Sequence, residues 1–202
     1  AQSTGSIEVE EEEIVVTAAR STQGVDGVVV PDATKPRAVL TEEFIAKQAS
    51  GQSILNTINQ VPGVNFTNSD AYGSSGGNIR IRGFDGNRIS LTFDGFTLND
   101  SGNYAIYSNQ QLDPELVEQV NVNLGTTDVD SPTASAAGGT VNYRTIKGGE
   151  ELEAKVSASV GDNDYNRVFG WLSSGSLNNS GSRVWVSAST AKNNKFKGPG
   201  GI

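Results

Sequence analysis

The 202-residue chain carries 24 glycines, a net charge of −8, and neither cysteine nor histidine, which excludes disulfide frameworks, thiolate nucleophiles, Cys/His zinc sites and histidine-based acid–base catalysis. A pI near 4.6 with no Lys/Arg run lacks the positive footprint that a phosphate backbone requires, so nucleic acid is ruled out as a partner. No segment approaches the ~20 apolar residues of a spanning helix, so any membrane residence must come from β-strands.

Residues 1–12 are small, polar and acidic, the composition of a solvated arm. Ala1 suits the position after a signal-peptidase site, which places the mature chain beyond the inner membrane. Glu13, Ile14, Val15, Val16, Thr17 and Ala18 then form a compact, β-branched extended block. It reads either as a first buried strand or as a strand waiting to pair with another protein.

From residue 28 to 144 the pattern is mixed. Thr41 followed by Glu42 and Glu43 predicts a helix start, with a hydroxyl cap and acids at the positive dipole end. A better helix is predicted over 53–60, where Ile54, Leu55, Ile58 and Val61 recur on one face, and Pro62-Gly63 ends it. Strands are predicted at 77–82, 88–93, 120–124 and 140–144, with turn pairs at Asp85-Gly86 and Asp94-Gly95. This is a small α+β unit.

After Lys147-Gly148-Gly149 the period changes to two: Leu152, Ala154, Val156, Ala158 and Val160 alternate with polar or charged residues. A turn at 161–164, a run at 165–176, a turn at 178–181 and a run at 183–192 follow. Runs of about ten residues between polar turns fit strands of a transmembrane barrel. The soluble counterpart is a three-stranded meander with one buried face. Val184, Val186 and Ala188 share a face that Trp185 opposes, whereas either face of the middle run can point outward.

Taken in order, several features resemble a TonB-dependent outer-membrane transporter: the acidic tail with its Glu-Ile-Val-Val-Thr-Ala block, Ile79-Arg80-Ile81-Arg82-Gly83-Phe84, Phe93-Asp94-Gly95, Gly138-Gly139-Thr140-Val141-Asn142-Tyr143, and the alternating C-terminal strands. The resemblance implies an α+β plug domain followed by antiparallel transmembrane β-barrel strands, with the barrel incomplete in this chain. It divides the chain into an arm with the TonB box (1–29), a plug (30–147) and the first three barrel strands (148–202). Residues 13–18 then bind the C-terminal domain of TonB by strand addition, from an arm in the periplasm. Arg80 and Arg82, two apart on one predicted strand, share a face and are expected to meet barrel-wall carboxylates. The family's usual Arg-Gly-Pro is replaced by Leu124-Gly125-Thr126, so only these two arginines are carried over. The remaining barrel strands must come from the same precursor or a second chain, because an open ribbon leaves unpaired edges in lipid.

In this family the plug loops that face the cell exterior help form the ligand floor. Here these are 68–78, 85–88 and 99–110. Tyr72, Tyr104 and Tyr107 offer flat amphipathic surfaces, while Asp70, Asn103 and Asn109 offer hydrogen-bonding groups to a small-molecule ligand. Packing of Tyr104, Ile106 and Tyr107 against the wall is an equal alternative for any one of them. No metal site or cofactor is expected from so few ligating side chains.

The expected function is TonB-driven import of a ferric siderophore or another small nutrient across the bacterial outer membrane, with outer-membrane lipid around the barrel and no enzymatic activity. The rival reading is a soluble secreted β-rich binding module or adhesin. Glu42/Glu43 and Asp162/Asp164 are the carboxylate pairs a glycosidase would use, yet both read as helix-start and turn chemistry.

Overall fold

The computed structural model describes residues 28–29, 36–110, 112–125, 136–178 and 180–195. The acidic arm and the block at 13–18 lie outside the described residues. Within them the chain forms three sheets.

The first is a six-stranded mixed sheet in the order β1-β2-β8-β9-β6-β7. Its strands are β1 (Val28–Val29), β2 (Arg37–Thr41), β6 (Ile89–Phe93), β7 (Phe96–Thr97), β8 (Val117–Leu124) and β9 (Gly139–Thr145). Pairing is antiparallel except between β6 and β9, which run parallel with Leu91 opposite Val141. Alternation puts Leu40, Leu91, Val120, Val122, Val141 and Tyr143 into one apolar core. Two short helices pack on that face, α1 (Glu42–Ala46) and α2 (Ile54–Thr57), the latter continued by a 3₁₀ turn at Ile58–Gln60. The predicted caps form: Thr41 Oγ1 accepts from the Phe44 amide at 3.4 Å, and Ser53 Oγ from the Leu55 amide at 3.2 Å.

The opposite face of this sheet is polar and also buried. Asn121 is 0% exposed, and its Oδ1 accepts from Gln119 Nε2 at 3.1 Å. Asn123 and Asn142 both donate to Thr140 Oγ1, and Thr92 donates to Asn142 Oδ1. Such a ladder satisfies groups that would otherwise cost free energy when dehydrated.

A second, three-stranded sheet comprises β3 (Val64–Asn68), β4 (Gly77–Ile81) and β5 (Phe84–Asp85). One sequence expectation is corrected here. Arg82 is not a strand residue: β4 ends at Ile81, Ile81 pairs with Phe84, and Arg82 (φ 51°) and Gly83 (φ 85°) form the two-residue hairpin turn. Arg80 and Arg82 therefore do not share a strand face. The Asp85-Gly86 pair is not a tight turn either, since Asp85 ends β5 and Gly86–Arg88 is a 3₁₀ turn. Asp94-Gly95, by contrast, is the two-residue turn between β6 and β7, with both φ values positive.

The third sheet is an antiparallel meander of β10 (Glu153–Gly161), β11 (Tyr165–Ser173) and β12 (Trp185–Lys192). The register settles which face is which. Val156, Val168, Leu172 and Val186 are exposed on one side, while Tyr165, Arg167, Phe169 and Ser173 of β11 are buried on the other against the mixed unit. Among the described residues the sheets do not close into a barrel, and no helix is long and apolar enough to cross a membrane.

Candidate functional site

The meander meets the mixed unit chiefly through β11. Arg167 has a side chain only 2% exposed and lies between two carboxylates of the turn that precedes β8. Its Nη2 donates to Asp113 Oδ1 at 2.7 Å and to Glu115 Oε2 at 2.9 Å, and its Nη1 donates to Glu115 Oε1 at 2.6 Å. Ser50 Oγ accepts from Nη1 at 3.0 Å and donates to Glu115 Oε1 at 3.2 Å. This is the forked, charge-assisted geometry that arginine makes with carboxylates. The guanidinium also sits 5.3 Å from the Phe169 ring centroid.

Two residues before Arg167 on the same face of β11, Tyr165 stacks on Tyr72 with ring centroids 3.8 Å apart and planes 8° from parallel. Tyr165 Oη donates to the Ser50 carbonyl at 3.3 Å, and Tyr72 Oη to the Asp162 carbonyl at 3.1 Å. Beyond this stack, Ser74 Oγ donates to Asn193 Oδ1 at 2.8 Å and Asn193 Nδ2 donates to Asp70 Oδ2 at 3.2 Å.

These contacts engage two of the six ligand candidates. Asp70 is 3% exposed, and its carboxylate is already engaged by the Tyr72, Ser74 and Ser75 amides as well as Asn193. Its chemistry is an Asx-type loop staple. Tyr72 uses both ring and hydroxyl against the meander. The other four, Asn103, Tyr104, Tyr107 and Asn109, are exposed on the 99–110 loop. That loop is ordered by its own polar groups: Asn99 Oδ1 accepts from the Leu91 amide, Asp100 Oδ1 from the Gly102 and Asn103 amides, and Asn103 Oδ1 from the Ala105 amide.

The three predicted loops do converge. Gly76 of the first lies against Ser108 and Asn109 of the third, and Gly86 of the second lies against Ile106. A polar cleft of about 130 Å³ opens beside them, lined by Gln52, Ser53, Tyr72, Ser74, Ser108 and Asp113. Arg80 turns to Asp85, Nε to Oδ1 at 2.8 Å, with both side chains more than half exposed. Among the described residues no group of three or more His, Cys, Asp or Glu side chains can hold a metal ion.

Comparison with known families finds the TonB-dependent receptor plug domain over residues 29–140, more than half of the chain. The chain belongs to that family. Solved structures agree on the fold. The ferripyoverdine receptor of the outer membrane of Pseudomonas aeruginosa is 24% identical over 82% of this chain and 21% of its own, with a TM-score of 0.64. The alcaligin outer membrane receptor FauA of Bordetella pertussis is 22% identical over 80% of this chain and 27% of its own, at 0.61. The copper transporter OprC is 18% identical over 86% and 26%, at 0.59. This chain thus spans about a quarter of the length of these relatives. A comparison with curated protein sequences finds no match. The mixed unit is the plug, and the meander occupies the place of wall strands.

The sequence reading missed Arg167. Its signal was present in the alternation, because Tyr165, Arg167 and Phe169 share one parity while Val168 and Leu172 share the other.

Proposed function

We propose that this chain is the plug and the first wall strands of an outer-membrane importer, and that TonB, engaging residues 13–18, drives a small ligand past the plug. The observation that carries this reading is the two-sidedness of β10–β12. One face clamps the plug through Arg167 and Tyr165. The other presents Leu152, Val156, Val160, Val168, Leu172, Val184 and Val186 to the surroundings.

Leu152 to Val160 covers about 26 Å along a strand at ~3.3 Å per residue, and a ~40° tilt reduces that to about 20 Å, close to the ~25 Å apolar band of outer-membrane barrels. A soluble protein that exposed such a face would aggregate, whereas lipid covers it without cost. The domain limits follow the same reading: arm and TonB box to residue 29, plug over 30–147, wall from 148.

Tyr104, Tyr107, Asn103 and Asn109 supply the plug's share of the ligand floor. Arg82, at the hairpin tip, is the arginine left to meet a wall carboxylate of the remaining strands, since Arg80 is paired with Asp85. The relatives carry different cargoes by name, a ferric siderophore in one and copper in another. A ferric siderophore or a comparable small nutrient is the class that fits a floor of tyrosines and amides.

The test is deletion of residues 13–18 in the intact outer-membrane protein. Ligand binding is expected to stay at the parental level while energised uptake is lost. Unchanged uptake in the deletion strain refutes the TonB-box assignment.

A further inference from the structure

The three loops that converge on the candidate floor, 68–78, 85–88 and 99–110, hold only four charged side chains: Asp70, Asp85, Arg88 and Asp100. Each is already engaged. Asp70 is buried under four donors, Asp85 pairs with Arg80, and Arg88 has interactions of its own. Asp100 Oδ1 takes the Gly102 and Asn103 amides at 2.8 and 3.0 Å. Beyond Arg88 the sequence has no Lys or Arg until Arg144. An anion landing on the 99–110 loop therefore meets the Asp100 carboxylate and no uncommitted cation of these loops, and a dehydrated anion without such a partner is costly.

What the loop does present is two rings. Tyr104 and Tyr107 are 38% and 47% exposed, whereas Tyr72 is spent on the meander. Their platform is fixed in advance. Where β7 leaves the sheet, the primary amide of Asn99 takes the place of the next backbone group: its Oδ1 accepts from the Leu91 amide at 2.8 Å and its Nδ2 donates to the Ile89 carbonyl at 2.9 Å. Asn99 Nδ2 also donates to the Tyr104 carbonyl at 2.9 Å, and the Tyr104 amide donates to the Asp100 carbonyl at 3.0 Å. These bonds hold Tyr104 at φ 58°, a left-handed conformation that residues with a bulky side chain rarely adopt. A surface ordered before binding loses little freedom when a ligand covers it.

We propose that the ligand face received by Tyr104 and Tyr107 is uncharged and ring-bearing, built of aromatic rings or of the flat apolar face of a sugar. This rests on the import reading given above and narrows its cargo. An uncharged iron complex or a metal-free glycoside fits such a floor, because a tyrosine ring stacks on either. An anionic iron complex does not.

The detergent-solubilised intact protein is titrated calorimetrically with three probes: the uncharged iron(III) complex of benzohydroxamate, the anionic iron(III) complex of catechol, and phenyl glucoside, which carries rings but neither metal nor charge. At least one uncharged probe is expected to bind, roughly tenfold or more tighter than the catechol complex. Whether the iron complex or the glycoside is the one bound identifies the source of the rings. Tyr107→Ala is expected to weaken that binding roughly two- to tenfold, the range of one aromatic contact, while Tyr107→Phe leaves it unchanged. Tyr104→Ala reads the same floor if Tyr107→Ala fails to fold. Asn109→Lys supplies a cation and is expected to tighten binding of the catechol complex alone.

A catechol complex bound as tightly as the uncharged probes, an uncharged probe indifferent to both tyrosine variants, or no uncharged probe bound at all overturns the proposal. Uptake by cells is scored separately. If the catechol complex is the one bound and its energised uptake still requires residues 13–18, the import reading stands and the uncharged face falls.

Discussion

Replacing Arg167 by alanine tests whether the clamp is an energetic feature or only a close contact. The guanidinium is 2% exposed, while the Asp113 and Glu115 side chains keep 26% and 16% of their exposure. Removing one partner of a fully buried pair costs about 3–5 kcal/mol because the other charge is stranded. Here the stranded carboxylates regain some water, so a loss of about 2–3 kcal/mol is expected, still well above the ~0–1 kcal/mol of an exposed pair. The exposed Arg80–Asp85 pair is the internal control, and Arg80→Ala should cost less than ~1 kcal/mol. Arg167→Lys keeps the charge but loses the fork, and should fall between wild type and alanine. The assay is urea unfolding of the plug in the detergent-solubilised intact protein, followed by hydrogen exchange of the 50–53 and 113–116 backbone. A double-mutant cycle of Arg167→Ala with Glu115→Ala should give a coupling of about 1.5–3 kcal/mol. A coupling below ~0.5 kcal/mol, or an Arg167→Ala effect no larger than that of Arg80→Ala, refutes the argument that this pair holds the plug.

Two further outcomes are expected. Gly51 (φ +80°) leaves no room for a side chain, since a Cβ there would lie 1.9 Å from Tyr165 Oη and 2.8 Å from Arg167 Cδ, whereas a Cβ at Gly83 (φ +85°) meets nothing within 4 Å. In the same unfolding assay Gly83→Ala should cost about 1 kcal/mol of backbone strain and Gly51→Ala at least about twice that; equal losses would mean that the plug backs away from β11 freely. Burial pushes the Tyr143 phenol well above its ordinary value, so the folded state keeps it neutral while the unfolded chain ionises near pH ~10. Its contribution is complete below that pH and is lost as pH rises from there toward the folded pKa. Tyr143→Phe should therefore lose less stability than wild type between pH 9 and 11, and parallel losses would contradict the assignment.

What could be read from the sequence, and what could not, follows from the range of the interactions. The caps at Thr41 and Ser53 and the turn at Asp94-Gly95 rest on contacts within a few residues, where side-chain type constrains backbone angles directly, and the strands β4, β6 and β9 showed in their local alternation although their pairings are long-range. The helix after Ser53 came out shorter than its apolar periodicity suggests, because the last turn tightens to 3₁₀ at Ile58–Gln60 before Pro62. Arg82 was misplaced for a local reason: the alternation of Ile79, Arg80, Ile81 and Arg82 was followed one residue too far, although Gly83 carried the same turn signal as Gly95. The contacts of Asp70 and Tyr72 were hidden for a non-local one. Whether a loop tyrosine faces a ligand or a wall depends on Tyr165, 93 positions away in the sequence, and no periodicity connects the two. The Arg167 fork joins residues 52 and 54 positions apart and is hidden for the same reason.

The way plug and wall are joined bears on how such a plug can move. Within the plug, strands are laddered by backbone hydrogen bonds in two sheets, and the wall strands are laddered to each other in a third, with no strand shared between plug and wall. Every described hydrogen bond that crosses from residues 50–115 to β10–β12 and their turns uses at least one side chain: Arg167, Tyr165, Tyr72, Ser74 and Asn193. A backbone ladder exchanges bonds only in register, so separating two laddered strands exposes rows of amides and carbonyls with no partner. Side-chain bonds can instead be broken one at a time and satisfied by water in a lumen, each at a net cost of about 1 kcal/mol. A plug attached in this way can be released and returned without unravelling either sheet, and the ion pair on β11, the strongest of these bonds, sets where that release is most resisted.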